Sequence, residues 1–287
     1  MDITLLKTFL EVTATGSFVS ASDRLFVTQS AVSLRIQRLE DALGKPLFTR
    51  SKAGAELTPA GCEFERYALS LIKVWEESRQ QIAIPKGFTR SLTIGAQYSI
   101  WPRLGFDWID GLRAAAPDLS LRTELGMADR ITRFLIEGVV QAALLYTPQY
   151  RPGLKVEKVM DEELVLVASW PDPELTQERG YVFVDWGPEF TQAHALALPH
   201  LLNTGLTMAL GALTGDYLIG RDASAYLPAR HVQRYLEAGF LHLVPAAPRF
   251  AYPIWAVWRE DIDPAVADLA RQTLRQAAGT LAAAPAP

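Results

Sequence analysis

SFVSASDRLFVTQSAVSLRIQRLEDALG, residues 17–44, reads as two short helices with almost nothing between them. Ser17 is a good N-cap for a helix whose apolar positions are Phe18, Ala21, Ser22 and Leu25. Thr28 caps a second helix, running from about Gln29 to Leu43 and ending at Gly44. Only Leu25, Phe26 and Val27 separate them, which forces a steep crossing, the helix-turn-helix arrangement. Small Ala21 and Ala31 let the two backbones approach. On a helical wheel, Val32, Ile36, Leu39 and Leu43 form a core-facing stripe on the second helix. Its other side carries Ser30, Ser33, Leu34, Gln37 and Asp41, with Arg38 at the edge and Gln29 at the free N-terminal end. Serine and glutamine hydrogen-bond base edges in a major groove, and arginine grips guanine or phosphate. Leu34 is either a scattered surface leucine or a contact for a thymine methyl group, and the residues leave both readings open.

Upstream, Leu5, Leu6, Phe9, Leu10 and Thr13 recur at helical spacing until Gly16. Downstream, Leu47–Thr49 and Glu56–Leu57 read as two short strands around a turn at Lys52–Ala55, a small wing. Thr58 then caps a long helix with Pro59 at its first position, continuing to about Ile84 before Pro85 and Gly87. Phe64, Ala68, Leu71, Trp75 and Ile82, with Ser78 in the same series, are spaced 4, 3, 4, 3, 4. That heptad spacing, flanked by polar positions such as Glu63, Arg66, Glu76 and Arg79, favours a dimerising seam over packing on its own domain.

From residue 89 the texture alternates between strands and helices. Strands are expected at Leu92–Ala96, Leu119–Glu124, Val139–Tyr146, Leu154–Met160, Leu164–Ser169, Tyr181–Asp185, Tyr217–Gly220, Leu241–Val244 and Ile254–Trp258. Helices are expected at Arg103–Ala116, Arg130–Gly138, Leu206–Leu213, His231–Gly239 and Pro264–Leu281. Such alternation means α/β units around mostly parallel sheets. The chain thus divides into a DNA-binding domain at 1–58, a linker helix at 59–88 and a regulatory domain at 89–287.

The 287 residues are 49% hydrophobic and 21% charged, ordinary for a globular protein. The net charge of −4 argues against a general nucleic-acid coat protein, so any DNA contact must come from a local patch. Residues 17–57 hold six basic side chains (Arg24, Arg35, Arg38, Lys45, Arg50, Lys52) against four acidic ones, a net of +2. That modest surplus predicts weak non-specific affinity and reliance on a dimer bound to a two-part site. The single Cys62 suits a reducing compartment and reads as a small buried residue at the wing–helix junction rather than a redox switch. No signal peptide is expected in MDITLLKTFLEV, nor a membrane span, since no run of about 18 uncharged apolar residues exists. A cytoplasmic location follows as an expectation. His194, His200, His231 and His242 lack metal-ligand spacing, and neither a phosphate-binding loop nor a nucleophile elbow is present, so no cofactor, metal or catalytic residue is expected.

Residues 3–62 strongly resemble the N-terminal segment of LysR-type transcriptional regulators. The resemblance rests on Phe9, Gly16, Ser17, Phe18, Ala21, Leu25, Thr28, Gln29, Ser30, Ser33, Leu39, Glu40, Leu43, Gly44, Leu47, Phe48, Arg50, Leu57, Thr58 and Gly61. Within the family, TQSAVS, LFTR and the segment Val184–Pro188 are most similar to HdfR-type members, a likeness that leans toward a repressor. The resemblance implies an α/β protein with an N-terminal winged helix-turn-helix, a long linker helix and a two-lobed sensor domain like periplasmic binding proteins. Its lobes would be about 89–163 with 254–287, and 164–253. It implies binding to double-stranded DNA as a homodimer or dimer of dimers. Gln29, Ser30 and Ser33 would lie at the bases and Arg50 at the backbone, with Thr28, Leu34, Gln37, Arg38 and Lys52 alongside. The family often has arginine where this chain has Leu34, which puts one guanine contact in doubt.

A small-molecule effector would sit between the lobes, at the carboxyl ends of strands. Ser99, Trp101, Met127, Tyr146 and Asn203 are the candidates, with Trp186 as a second wall. Ser99 is a helix cap, a donor to an anionic ligand, or both. Met127, Asp129 and the run LTGDYLIGRD depart from the relatives' pattern, so retention of an effector stays open. The rival class is a small-molecule binding protein or enzyme with an appended helix-turn-helix; an enzyme would need a titratable cluster in the cleft, and none stands out in the sequence.

Overall fold

The computed structural model describes residues 2–51, 54–175, 180–201 and 205–283. They fall into two compact units, one comprising the chain up to Ala83 with Ile136–Val139, the other the remainder from Ile84.

In the first unit, α1 (Ile3–Thr15), α2 (Phe18–Leu25) and α3 (Gln29–Leu43) are followed by β1 (Phe48–Ser51), β2 (Gly54–Leu57) and α4 (Pro59–Ile82). Each start follows its cap: Asp2, Ser17, Thr28 and Thr58 accept from the amides of Thr4, Ser20, Ala31 and Gly61. Gly16 and Gly44 close α1 and α3 in the left-handed conformation. Leu6, Phe9, Phe18, Val32, Ile36 and Leu39 meet in one core that also takes Leu47 and Phe48 of the wing. Leu43, expected to join them, is 41% exposed, because the last turn of α3 is exposed on every side from Asp41 to Gly44. The wing strands pair antiparallel, Phe48 opposite Leu57. Glu40 of α3 accepts from the amides of Leu47 (2.7 Å) and Phe48 (3.3 Å), tying the helix to the wing. Gly54 (φ 137°) lies so close to α1 that a Cβ there would stand 2.5 Å from the carbonyl oxygen of Gly16, so only glycine fits.

The second unit holds β3 (Arg90–Ala96), α5 (Phe106–Ala115), β4 (Leu119–Leu125), α6 (Ala128–Ile136), β5 (Ala142–Leu145), β6 (Leu154–Met160), β7 (Glu163–Ala168) and β8 (Phe183–Val184). It continues with α7 (Pro188–Ala197), β9 (Thr207–Met208), α8 (Thr214–Leu218), β10 (Ser224–Pro228), α9 (Ala229–Glu237), β11 (His242–Leu243), β12 (Phe250–Ala251), β13 (Ile254–Arg259) and α10 (Pro264–Ala283). A five-stranded sheet has the order β4-β3-β5-β13-β6, with β3 parallel to both neighbours and β13 antiparallel to both of its own. Trp108 of α5 and Trp258 of β13 meet edge-to-face at 5.8 Å, and Trp108 Nε1 donates to the carbonyl of Ala270 in α10. The second sheet is built on β7, to which β10, β11 and β12 all pair antiparallel. The expectation of mostly parallel sheets therefore fails in this half. The chain passes between the sheets at Asp161–Glu162 and at Tyr252–Pro253, and the amide of Tyr252 donates to the carbonyl of Glu162 at 2.7 Å, joining the two crossings.

Four local readings change. Residues 217–220, expected as a strand, contain the end of α8, and the helix expected at 206–213 is β9 followed by a tight turn through Gly211. The unpredicted strand β10 is short and ends in Pro228, which an edge strand tolerates because its missing N–H leaves no ladder bond broken. Helix α7 was also not expected. Among the described residues no helix is long and apolar enough to cross a membrane.

Candidate nucleic-acid interface and sensor cleft

Helix α3 is buried along Val32, Ile36 and Leu39, and the opposite face is open. Thr28, Gln29, Ser30, Leu34, Gln37 and Arg38 are exposed and Ser33 is half-buried. The Thr28 and Ser30 hydroxyls lie 3.0 Å apart, so the N-cap also orients a neighbour on the outer face. Leu34 is 48% exposed and in no core cluster. Arg35 is drawn back toward α1, donating to Thr8 Oγ1 at 3.4 Å, which leaves Arg38 as the outward arginine of the helix. On the wing the Arg50 guanidinium stacks 4.0 Å over the Phe18 ring, holding its charge beside the start of α2. Lys52 lies outside the described residues. Between α2 and α3, Phe26 is 94% exposed with φ 54°, a left-handed conformation that bulky residues seldom adopt.

The long helix α4 departs from its expected seam. Phe64 packs edge-to-face on Phe9 at 5.1 Å, and Ala68 and Ile72 are fully buried in the same core, so Phe64 and Ala68 do not face outward. Glu76, expected among the exposed flanking positions, is buried and paired with Lys7 and Arg79, each at 3.0 Å. The outward stripe is Tyr67, Leu71, Val74, Trp75 and Ile82, all at least 39% exposed. Tyr67 and Val74 were missed because the heptad starting at Phe64 does not reveal which of two adjacent stripes meets the α1 core. Cys62 is exposed, correcting its expected burial. The tight spot is its neighbour Gly61, where a Cβ would lie 2.2 Å from the carbonyl oxygen of Leu47.

In the second unit a cleft of about 350 Å³ opens at the ends of β3 and β5, bordered by Gln97, Ser99, Met127, Asp129, Asp185 and Trp186. Ser99 Oγ and Tyr146 OH are 2.8 Å apart, and Tyr146 stacks on Tyr252 at 4.2 Å. Burial and the nearby Glu162 charge push the Tyr146 hydroxyl well above its ordinary range, so it stays neutral. Tyr252, at the second inter-sheet crossing, lines the cleft, and its hydroxyl donates to the carbonyl of Trp186. Trp186 Nε1 donates to Tyr226 O at 2.8 Å. Tyr146 itself does not line the cleft but the narrower pocket beside it, and Trp101 lines neither. Its ring lies where a Cβ on Gly105 would meet it at 2.5 Å, and it packs beside Phe106. Asn203 lies outside the described residues. Gln97, Thr147, Asp185 and Tyr252 were not singled out as ligand residues; only Asp185 had a signal, in the segment Val184–Pro188.

The charge of the cleft is negative. Asp129 and Asp185 line it, and among its described lining residues there is no lysine, arginine or histidine. Asp185 Oδ1 accepts from the amide of Gly187 just before α7, and Asp129 stands in the first turn of α6, so carboxylates already serve both helix starts. Behind Tyr146 a narrow pocket contains Glu162, whose carboxyl burial raises despite Arg230 at 3.5 Å, and His231, which burial and Arg234 depress to about 4. His194 is fully buried, with Nε2 2.7 Å from Tyr181 OH.

Two family models match the chain: the bacterial regulatory helix-turn-helix protein, lysR family, over residues 3–62, and the LysR substrate binding domain over residues 85–278. The HTH-type transcriptional regulator HdfR of Yersinia enterocolitica is 32% identical over 286 residues, covering 96% of both chains. Among solved structures, a full-length OxyR variant from Pseudomonas aeruginosa aligns with TM-score 0.56 at 22% identity, covering 96% of this chain and 98% of that one. Full-length LysG from Corynebacterium glutamicum with bound arginine effector aligns with TM-score 0.55 at 19% identity, covering 98% and 99%. With an exposed polar α3 and a cleft bordered by both sheets already in place, these matches show that the chain belongs to the LysR family of DNA-binding transcriptional regulators.

Proposed function

We infer that α3 enters a major groove with Gln29, Ser30 and Ser33 at base edges, while Arg38 and Arg50 grip phosphates. The observation that carries this reading is the division of α3 into a buried stripe and an uncovered polar face that starts at its N-terminus. Leu34 then offers an apolar contact to a thymine methyl. A second copy covers the Tyr67, Leu71, Val74, Trp75 and Ile82 stripe, giving a dimer, or a dimer of dimers, that places two heads on two half-sites. The protein acts in the cytoplasm, and the likeness to HdfR supports a repressing role. Incubating the full chain with random duplexes and sequencing the retained fraction should enrich a two-part motif with dyad symmetry. Retention without enrichment would refute base reading.

The sensor cleft accepts a ligand with donors or positive charge better than an anion, since two carboxylates and, among the described residues, no basic side chain line it. Among small amines and acids at equal concentration, an amine should raise the Tm and lose that effect in Asp129→Asn. Stabilisation by acids alone would contradict this polarity.

A further inference from the structure

We propose that the groove between β6 and α10 is a second ligand site, separate from the cleft, and that it takes a small carboxylic acid with an apolar body. The groove encloses about 510 Å³, within the size range of small-molecule sites. Met160, Ala256, Leu274 and Ala278 are buried residues that give it an apolar lining. Four cationic side chains border it, Lys158, Arg230, Arg271 and Arg275, against two acids, Glu157 and Asp161.

Both acids are engaged. Asp161 pairs with Lys158 at 2.6 Å, and Glu157 is shared between Lys155 at 3.0 Å and Arg271 at 3.5 Å. Arg230 donates to the carbonyl of Asp161 at 2.9 Å and pairs with Glu162 at 3.5 Å. Arg275 has no ion-pair or hydrogen-bond partner among the described residues. One further donor at the groove, Trp258 Nε1, is buried without a hydrogen bond among the described residues. Arg271 Nε, buried too, has the 3.5 Å ion-pair contact with Glu157 but no hydrogen bond, while another nitrogen of its guanidinium lies 3.7 Å from Asp268. The Arg271 guanidinium lies 4.9 Å from the centre of the Trp258 ring, so these donors sit together. Buried donors are normally satisfied, and the two groups left unmatched, the Trp258 Nε1 donor and the Arg275 guanidinium, call for an acceptor with negative charge. The apolar lining supplies the rest of the recognition, and it excludes a bare inorganic anion as the best occupant.

The position gives such a ligand leverage. Strand β6 runs directly into the crossing at Asp161–Glu162, and Arg230 belongs to α9, which packs on the other sheet. An occupant here touches both halves of the sensor from outside the cleft.

The test uses the full chain, hexanoate as probe and 1-hexanol as its uncharged counterpart, followed by titration calorimetry. Hexanoate should bind, hexanol about tenfold more weakly or worse, and Arg275→Gln should weaken hexanoate by about tenfold. Gly279→Leu fills the groove; a Cβ there meets nothing within 4 Å, and replacing a helical glycine does not endanger the fold. This variant should keep or raise the Tm and abolish binding. The proposal fails if hexanoate does not bind, if hexanol binds equally well, or if both variants bind as the parent does. It also fails if Gly279→Leu changes the mass of the assembly, because a second copy would then occupy the groove.

Discussion

Single side chains at the start of α3 carry the heaviest functional load, and the turn leading into that helix holds a conformationally strained residue. Phe26 holds a left-handed backbone that L-residues adopt at a cost of about 1–2 kcal/mol, and its 94% exposure returns no packing energy. Phe26→Gly should therefore raise the unfolding free energy by about 1 kcal/mol in urea denaturation. A loss of similar size would show that the ring stabilises the turn. The Thr28 cap, by contrast, was legible from type and position alone, because an N-cap needs only a short side chain with an oxygen at the right place. The destination of Arg35 was not legible in the same way. Arg38 read as the edge of the polar face and Arg35 only as part of the basic surplus, and the position of Thr8 on α1 shows that Arg35 is drawn inward.

At the scale of elements, α4 shows where pattern reading stops. Its length, cap and proline start were readable, and so was the presence of apolar residues at heptad spacing. The direction of the seam was not, because Phe64, Ala68 and Ile72 form one stripe and Tyr67, Leu71 and Val74 another, offset by one step around the helix. Packing against Phe9 decides between them. Leu71→Glu with Trp75→Glu should leave the head folded and lower the molar mass in light scattering to that of a smaller assembly. Ile72→Ala should instead destabilise the head by about 2–5 kcal/mol, as truncation of a fully buried aliphatic residue does. An unchanged mass for the double variant would remove this stripe from the dimer. In the sensor, β6 was read correctly to the residue and β3, β4, β7 and β13 to within two residues at each end, whereas β8, β9, β11 and β12 have two residues each. A two-residue strand has no period to detect, so its pairing comes from tertiary contacts alone. The cleft suffered for the same reason: Thr147, Asp185 and Tyr252 lie in connections whose meeting depends on the two crossings between the sheets.

For the whole molecule, the balance of charge assigns separate tasks. A net charge of −4 keeps the chain from binding nucleic acid indiscriminately, so the affinity must come from paired heads and their directed contacts. The sensor can influence those heads only through a ligand that binds its alternative arrangements with different affinity. A negatively lined cleft and a positively bordered groove would answer to different ligands. All of this presupposes that the outer face of α3 reads sequence. The most direct check is to measure Gln29→Ala and Ser33→Ala against the selected motif and against random duplex at the same salt concentration. Affinity for the motif should fall by about fivefold to a hundredfold while that for random DNA barely changes. An equal fall on both would mean that these residues hold only the backbone, and that another surface reads the bases.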